Sequence, residues 1–161
     1  MKYVLYFLAI GIFFIQGCSS DDDTPATVCT PIPAEDQEDI INEALDQNGW
    51  TMETSSTGLR YAIEPPGVGD NIMFGNTIEI NYQGTLLNGT VFDAGTIGPI
   101  VFQQGAFIPG FEEGLLLLNE GAEGLFILPG EIAYGCFPPP GSIIGENEVL
   151  IFEVTVLSIT P

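Results

Sequence analysis

The side chains of this sequence that could do chemistry are acidic, aromatic and sulfur-containing, because its 161 residues include no histidine. The lack of histidine excludes Ser-His-Asp and Cys-His catalysis, together with metal sites built on histidine ligands. Lysine and arginine number 2 against 22 aspartates and glutamates, which gives a net charge of −20. Such a charge repels phosphate backbones and anionic lipids, so the composition excludes a nucleic-acid-binding protein and a basic membrane-binding face.

The first of the three cysteines lies in a predicted targeting signal. Lys2 precedes an apolar run over residues 3–15, a pattern typical of a secretory signal peptide over residues 1–17. The tetrad Ile15-Gln16-Gly17-Cys18 resembles a bacterial lipobox, and this resemblance implies cleavage before Cys18 and lipid attachment to it. The alternative is an uncleaved anchor in which Cys18 is an ordinary residue.

Residues 18–34 are acidic and then rich in threonine and proline, so we expect them to form an extended tether. Their run Ser19–Asp23 is similar to the surface-export signals of some Gram-negative lipoproteins, and a plain solvated spacer is the alternative. We therefore expect a lipid-anchored protein of a Gram-negative cell envelope. In that oxidising compartment Cys29 and Cys136 form either a disulfide or two free thiols, and the sequence leaves both open.

A helix is predicted over residues 35–48, within an N-terminal extension that covers residues 35–57. Its apolar residues fall on one face of a 3.6-residue period, and they are Ile40, Ile41, Ala44 and Leu45. Acidic residues fill its first turns, where the helix dipole favours negative charge. We expect Gly49 to end the helix and Trp50 to pack it onto the main body.

From residue 58 onward the pattern changes to short strands separated by glycine and proline. Alternating or short apolar runs predict strands near residues 59–64, 77–82, 91–92, 100–102, 125–128 and 149–159. Asn88-Gly89 predicts a hairpin turn, and residues 109–118 predict a short helix with proline in its first turn. Together these elements predict an α+β fold, in which a strongly bent antiparallel sheet (a half-barrel) wraps around one short α-helix.

Five motifs follow one another in this part of the chain. They are Asn81–Leu86 with Gly89–Asp93, Phe107–Leu115, Ala133–Gly135, Ser142–Gly145 and Leu150–Val154. Their order and spacing resemble those of the FKBP-type peptidyl-prolyl cis-trans isomerases over about residues 58–161. One such motif alone is weak evidence, whereas five in register argue against chance similarity. The resemblance implies an isomerase domain over residues 58–161.

The resemblance implies an enzyme that assists the folding of extracytoplasmic proteins by isomerising X-Pro bonds. The barrier to that rotation is about 18–20 kcal/mol, because amide resonance is broken in the twisted transition state. The twisted amide has less charge separation than the planar one, so an apolar, dehydrated pocket favours it. No nucleophile, metal or cofactor is implied. The implied partners are proline-containing polypeptides and macrolide inhibitors of the immunosuppressant type.

The same resemblance assigns residues to the site. The implied catalytic residues are Tyr82, Phe92, Asp93, Phe111 and Tyr134. The implied substrate-binding residues are Ile100, Phe107, Ile108, Ile143, Ile144 and Phe152. The Tyr134 hydroxyl and the Ile108 N–H would donate to substrate carbonyls, and Asp93 would orient Tyr82. Taken singly, each phenylalanine would more often be a core residue, and Asp93 a turn residue.

Two departures from the family pattern keep other functions open. Phe111 stands where the family usually has tryptophan, and Ile144-Gly145-Glu146 replaces Ile-Pro-Pro. One alternative is a non-catalytic module that binds proline-containing chains as a chaperone. Another is an envelope lipoprotein in which the pocket is vestigial.

Overall fold

The computed structural model describes residues 28–161. The predicted signal peptide over residues 1–17, the predicted lipidation site Cys18 and the acidic run after it lie outside the described residues. No helix between residues 28 and 161 is both long enough and apolar enough to cross a membrane.

Two α-helices and eight strands make up the regular structure of the described residues, with two short 3-10 helices at Ala34–Gln37 and Gly130–Ile132. The α-helices are α1 (Glu38–Asn48) and α2 (Pro109–Leu115). The strands are β1 (Glu53–Thr54), β2 (Arg60–Ile63), β3 (Val68–Asn71), β4 (Thr77–Leu86), β5 (Val91–Val101), β6 (Asn119–Glu120), β7 (Glu123–Leu128) and β8 (Leu150–Thr160). Six strands form one antiparallel sheet in the order β1-β2-β7-β8-β4-β5, and β3 pairs with β6. The predicted α+β class is confirmed.

The β4–β5 hairpin forms where the Asn-Gly signal predicts it. The Leu86 N–H donates to the Thr90 carbonyl at 2.9 Å, and Gly89 takes a φ of +81°, which favours glycine. β5 continues without a break to Val101. The strand predicted at residues 100–102 is therefore confirmed for Ile100 and Val101, but these residues are the end of β5 and not a separate strand.

Alternate residues of β7 and β8 point to opposite faces of the sheet, and each face has its own apolar cluster. On one face Phe126 and Phe152 belong to the main core, which also takes in α2. On the other face Ile127 and Ile151 pack with Ile41 of α1. The N-terminal extension therefore covers one face of the sheet, and α2 covers the other.

Glycines allow α2 to lie close to the sheet. A Cβ on Gly114 would come within 2.8 Å of the Phe126 ring, and one on Gly110 within 2.8 Å of Leu128. The helix ends at Leu115, before the predicted end at residue 118. The N–H groups of Leu117 and Leu118 bond to the carbonyl three residues back, which is the 3-10 pattern and not the α-helical one.

The predicted helix over residues 35–48 begins as a 3-10 turn and becomes α-helical at Glu38. Its apolar face is narrower than predicted, because Ile40 is 47% exposed while Ile41 is buried. Gly49 ends the helix with a φ of +67°, as the sequence predicts. Just after it, Trp50 packs against the cluster around Ile41, which is the role expected of it.

A disulfide joins Cys29 to Cys136, with the two Cα atoms 5.6 Å apart. Of the two alternatives that the sequence left open, the structure contains the bridge. It ties the segment before α1 to the loop after the 3-10 helix Gly130–Ile132. Residues 29–34 therefore contact the domain, although the sequence pattern placed them in the tether.

Arg60 is the only basic residue among residues 28–161. Its residue surface is 6% exposed, and its Nη2 lies 3.3 Å from the Glu38 Oε1. Since Arg60 begins β2 and Glu38 begins α1, this ion pair links the sheet to the N-terminal extension.

Candidate functional site

An apolar hollow of about 590 Å³ opens on the α2 side of the sheet. Strands β4, β5 and β8, the start of α2 and two loops supply its walls. The lining residues are Tyr82, Phe92, Asp93, Ile97, Ala106, Phe107, Ile108, Pro109, Phe111, Tyr134 and Phe152. Eight of these residues are ones that the sequence resemblance assigned to the site.

Phe111 forms the floor of the hollow and is 3% exposed. Its ring centroid lies 4.8 Å from that of Phe152 and 5.4 Å from that of Phe107, the latter in an edge-to-face contact. Pro109 starts α2, so the first helical turn directs Phe111 toward the sheet. Packed rings hold one another in place, which gives a guest a rigid aromatic surface.

Phe92 forms a side wall, and the space for it comes from Gly84 on the neighbouring strand. A Cβ on Gly84 would lie 2.4 Å from the Phe92 ring and 3.1 Å from the Phe152 ring. The two rings meet edge-to-face, with centroids 5.5 Å apart. Gly84 is thus required for the shape of this wall, a requirement that the sequence motif alone does not explain.

Two polar groups on the rim are joined to each other. The Tyr82 hydroxyl donates to Asp93 Oδ2 at 2.7 Å. Burial, followed by this hydrogen bond and the charge of Asp93, raises the pKa of Tyr82 to about 12. The Tyr82 hydroxyl therefore stays protonated at physiological pH, and Asp93 is engaged as an acceptor.

Tyr134 supplies a hydroxyl that has no hydrogen-bond partner among the described residues. Burial and, to a smaller extent, the negative charge of Asp93 raise the pKa of this hydroxyl above its ordinary value of 10.0. At physiological pH it is an unengaged donor on the wall of an apolar hollow.

Ile108 places a second donor at the hollow, because its backbone N–H has no acceptor among residues 28–161. The preceding N–H, that of Phe107, donates to the buried Glu112 Oε1 at 3.0 Å. The Ile108 carbonyl accepts from the N–H groups of Phe111 and Glu112. The loop is therefore fixed on both sides of the free donor. Glu112 was not among the residues assigned from sequence; its signal is an acidic residue in the first turn of a helix that starts at proline.

Three of the assigned residues do not line the hollow. Ile100 is half-buried on β5, opposite Ile78 of β4. Ile144 is 7% exposed and belongs to the main core, and Ile143 beside it is 57% exposed. The structure therefore leaves these three outside the site that the other eight form.

Ile97 lies on the wall where Ile100 was expected. Ile97 of β5 pairs with Ile80 of β4, and Ile100 pairs with Ile78. The two pairs are three residues apart on β5 but two residues apart on β4, so β5 contains one extra residue between them. This bulge changes which side chains reach the hollow. The only sequence signal is Gly98-Pro99, which marks an irregularity without giving its register. The other lining residues that were missed, Ala106 and Pro109, flank the assigned pair 107–108.

Comparison with known proteins gives one consistent result. The family model described as FKBP-type peptidyl-prolyl cis-trans isomerase matches residues 69–157. A probable FKBP-type peptidyl-prolyl cis-trans isomerase of Haemophilus influenzae is 38% identical over 115 residues, which cover 70% of this chain and 47% of that protein. FkpA of Escherichia coli is 38% identical over 112 residues, 68% of this chain and 41% of FkpA. The chain thus spans about half the length of the curated relatives or less.

Solved structures agree with the sequence relatives. The match to the crystal structure of FkpA from Escherichia coli covers 80% of this chain and 61% of the FkpA chain, with a TM-score of 0.66 and 32% identity. The match to the crystal structure of AtFKBP13 covers 68% of this chain and 98% of the AtFKBP13 chain, with a TM-score of 0.60 and 25% identity.

The outer membrane protein MIP of Legionella longbeachae is a further sequence relative. It is 37% identical over 108 residues, which cover 64% of this chain and 45% of that protein.

Proposed function

The chain belongs to the FKBP-type peptidyl-prolyl cis-trans isomerase family, and from this premise we propose that it accelerates rotation about X-Pro bonds in polypeptides. One observation carries the proposal: eight residues assigned to the site from sequence converge on a single apolar hollow. The substrates are proline-containing segments of unfolded or partly folded proteins. The same hollow would accept macrolide inhibitors of the immunosuppressant type.

In this proposal the proline ring rests on Phe111, with Phe92, Phe107 and Phe152 around it. These rings exclude water and offer little stabilisation to the charge-separated planar amide. The twisted amide has lost part of that charge separation, so the hollow stabilises it relative to the ground state. The difference lowers a barrier of about 18–20 kcal/mol without any covalent step.

Two donors orient the peptide on either side of the bond that rotates. The Ile108 N–H and the Tyr134 hydroxyl are both unengaged in the described residues, and each would bind one substrate carbonyl. A hydrogen bond of this kind contributes about 0.5–1.5 kcal/mol. Asp93 acts by holding Tyr82 in place and not as a general base, since its Oδ2 already accepts the Tyr82 hydroxyl.

We further propose that the protein acts in the cell envelope of a Gram-negative bacterium, as a lipoprotein. The lipobox-like tetrad that ends at Cys18 supports cleavage of residues 1–17 and lipid attachment. The disulfide Cys29–Cys136 supports an oxidising compartment. Mass spectrometry of the protein purified from membranes tests this: an N-terminal diacylated or triacylated Cys18 is expected, and an unmodified Met1 would contradict it.

A proline-peptide isomerisation assay on the full-length chain tests the activity. We expect acceleration above the uncatalysed rate, and we expect Tyr134→Phe to lower kcat/KM by up to about tenfold, the equivalent of one hydrogen bond. Tyr61→Phe is the matched control, because the Tyr61 hydroxyl is bound to the exposed Glu53, outside the hollow. A folded protein that gives no acceleration would refute the isomerase proposal, and retained peptide binding would then select the chaperone alternative.

A further inference from the structure

Residues 29–37 are fastened to the loop 130–147 by covalent and polar contacts. The disulfide Cys29–Cys136 is one, and the Ala34 N–H donates to Glu131 Oε2 at 2.9 Å as another. This segment lies outside the part of the chain that matches the family model, residues 69–157. The loop it holds carries Tyr134, which lines the hollow.

Gln37 makes the most buried of these contacts, since its residue surface is 5% exposed. Its Nε2 donates to the Asn147 carbonyl at 2.8 Å, and its Oε1 accepts from the Gly130 N–H at 2.7 Å. One side-chain amide therefore bridges the two ends of the loop 130–147. Loss of this amide would leave two buried backbone groups without partners, which is costly.

Gly130 and Asn147, the residues that Gln37 bridges, are also the residues that hold the backbone around Tyr134. The Gly130 carbonyl accepts from the Gly135 N–H at 2.9 Å. The Asn147 N–H donates to the Gly135 carbonyl at 2.7 Å. Tyr134 is thus one residue away from a backbone unit held on both sides by the partners of Gln37.

Asn147 extends the contact to the segment next to the disulfide. Its Nδ2 donates to the Thr30 carbonyl at 3.0 Å, and its Oδ1 accepts from the Ile32 N–H at 3.2 Å. Its φ is +55°, a left-handed conformation that asparagine adopts more readily than most residues. Both its backbone and its side chain are therefore specified by this junction.

We propose that Gln37 and Asn147, together with the Cys29–Cys136 bridge, are positioning residues of the isomerase site that hold Tyr134 at the wall of the hollow. The N-terminal segment is then a working part of the site and not only a spacer. The inference rests on the proposed function, because it assigns the segment a role in that reaction through Tyr134.

A double-mutant cycle tests the proposal. Gln37→Met keeps the length and volume of the side chain and removes the amide. If Gln37 acted through packing alone, kcat/KM would therefore change little. We expect it to lower kcat/KM at least about threefold when Tyr134 is present, and less than about twofold in a Tyr134→Phe background. Gln47→Met is the matched control, because the Gln47 amide is on the exposed side of α1 and bonds only Glu43.

Equal losses of kcat/KM in the two backgrounds would overturn the proposal, because the amide would then act on stability or on the site as a whole. Asn147→Gly gives a second cycle, since glycine tolerates the positive φ while deleting the bonds to Thr30 and Ile32. It should show the same dependence on Tyr134. Near-UV circular dichroism verifies that each variant is folded.

A second readout does not depend on activity. The phenolate absorbance of Tyr134 is obtained as the difference between each chain and its Tyr134→Phe version during alkaline titration. We expect Gln37→Met, and separately the double variant Cys29→Ser/Cys136→Ser, to lower the pKa of Tyr134 toward its ordinary value of 10.0 as the residue becomes more solvated. An unchanged titration would overturn the positioning role. If the wild-type chain has no isomerase activity, the proposed function fails while this titration still decides the positioning.

Discussion

Tyr82 and Asp93 are diagonal neighbours on β4 and β5, and the hydroxyl of Tyr82 donates to Asp93 Oδ2 at 2.7 Å. The residue directly opposite each of them is a glycine: Gly95 faces Tyr82 and Gly84 faces Asp93. No side chain separates the two polar groups, so they meet at the edge of an apolar hollow. The hydrogen bond therefore fixes the position of both the Asp93 carboxylate and the Tyr82 ring.

Alkaline titration should report this pair. The pKa of Tyr82 is about 12 in the folded chain, raised from 10.0 first by burial and then by the bond to Asp93. The folded state therefore holds this proton more tightly than the unfolded state does. The stability that Tyr82 contributes in this way is fully present below pH 10 and is lost as pH rises from about 10 to about 12.

Measurement of the free energy of unfolding across that range tests the prediction. Wild-type stability should fall more steeply between pH 10 and pH 12 than that of Tyr82→Phe, which has no proton to lose at this position. The variant should also lack the phenolate transition near pH 12 that the wild-type chain shows. Parallel stability curves for the two proteins would show that the Tyr82–Asp93 bond does not survive in solution.

Gly84→Ala should damage the site without touching any polar group. The new methyl would lie 2.4 Å from the Phe92 ring, so the ring would have to leave its present position on the wall of the hollow. We expect kcat/KM to fall about tenfold or more and the free energy of unfolding to fall by about 1–3 kcal/mol, as for other overpacked sites. Gly95→Ala is the control, because its methyl would meet the Tyr82 ring at an ordinary 3.9 Å. Equal activity of both variants would exclude a role for the Phe92 wall.

Phe111→Trp should raise turnover. The larger indole would extend the floor of a hollow of about 590 Å³ and increase its contact with the proline ring. An added aromatic contact of about 0.5–1.5 kcal/mol in the transition state corresponds to a two- to tenfold rise in kcat/KM. Phe137→Trp, at a position that is 87% exposed, should leave the rate unchanged. A lower kcat/KM in the folded Phe111→Trp protein would mean that the phenyl ring is the better floor here.

Salt should separate substrates by their charge. The chain has a net charge of −20, so it attracts a peptide with lysine beside the X-Pro bond and repels one with glutamate there. The screening length shrinks from about 30 Å at 0.01 M to about 3 Å at 1 M ionic strength. Over that range kcat/KM should fall at least about twofold for the lysine peptide and rise for the glutamate peptide. A neutral peptide is the control, and an identical salt response of all three would refute electrostatic steering.

The sequence predicted the elements whose signals are local. The Asn88-Gly89 turn, the glycine that ends α1 and the proline that starts α2 each act through the conformation of one or two residues. The bounds that were wrong depend on longer-range packing. Ile100 and its neighbours were read as a separate strand, because a bulge in β5 has no local signature beyond Gly98-Pro99. Strands β1 and β6 have two residues each, too few for a periodic pattern. All four residues of β3 are exposed, so this strand shows no alternation of apolar and polar positions.

Most residues that line the hollow belong to the motifs and were assigned from sequence, although the motif residues Ile143 and Ile144 do not line it. Tyr82, Phe111 and Tyr134 line one hollow, as the motif register implies. Gln37 could not be found in this way, because a glutamine before a helix has no sequence signal for a partner 110 residues away. Its importance comes from two backbone groups that only the fold brings to it.

Arg60 is the one residue between residues 28 and 161 that a protease specific for lysine or arginine could recognise. Between residues 28 and 161, the bond that follows Arg60 is the only one that an enzyme specific for basic residues could cut. That bond lies inside β2, paired on one side with β1 and on the other with β7, with the arginine itself held by Glu38. Cleavage there requires the sheet to open first, so the rate of tryptic digestion measures the opening of this sheet directly.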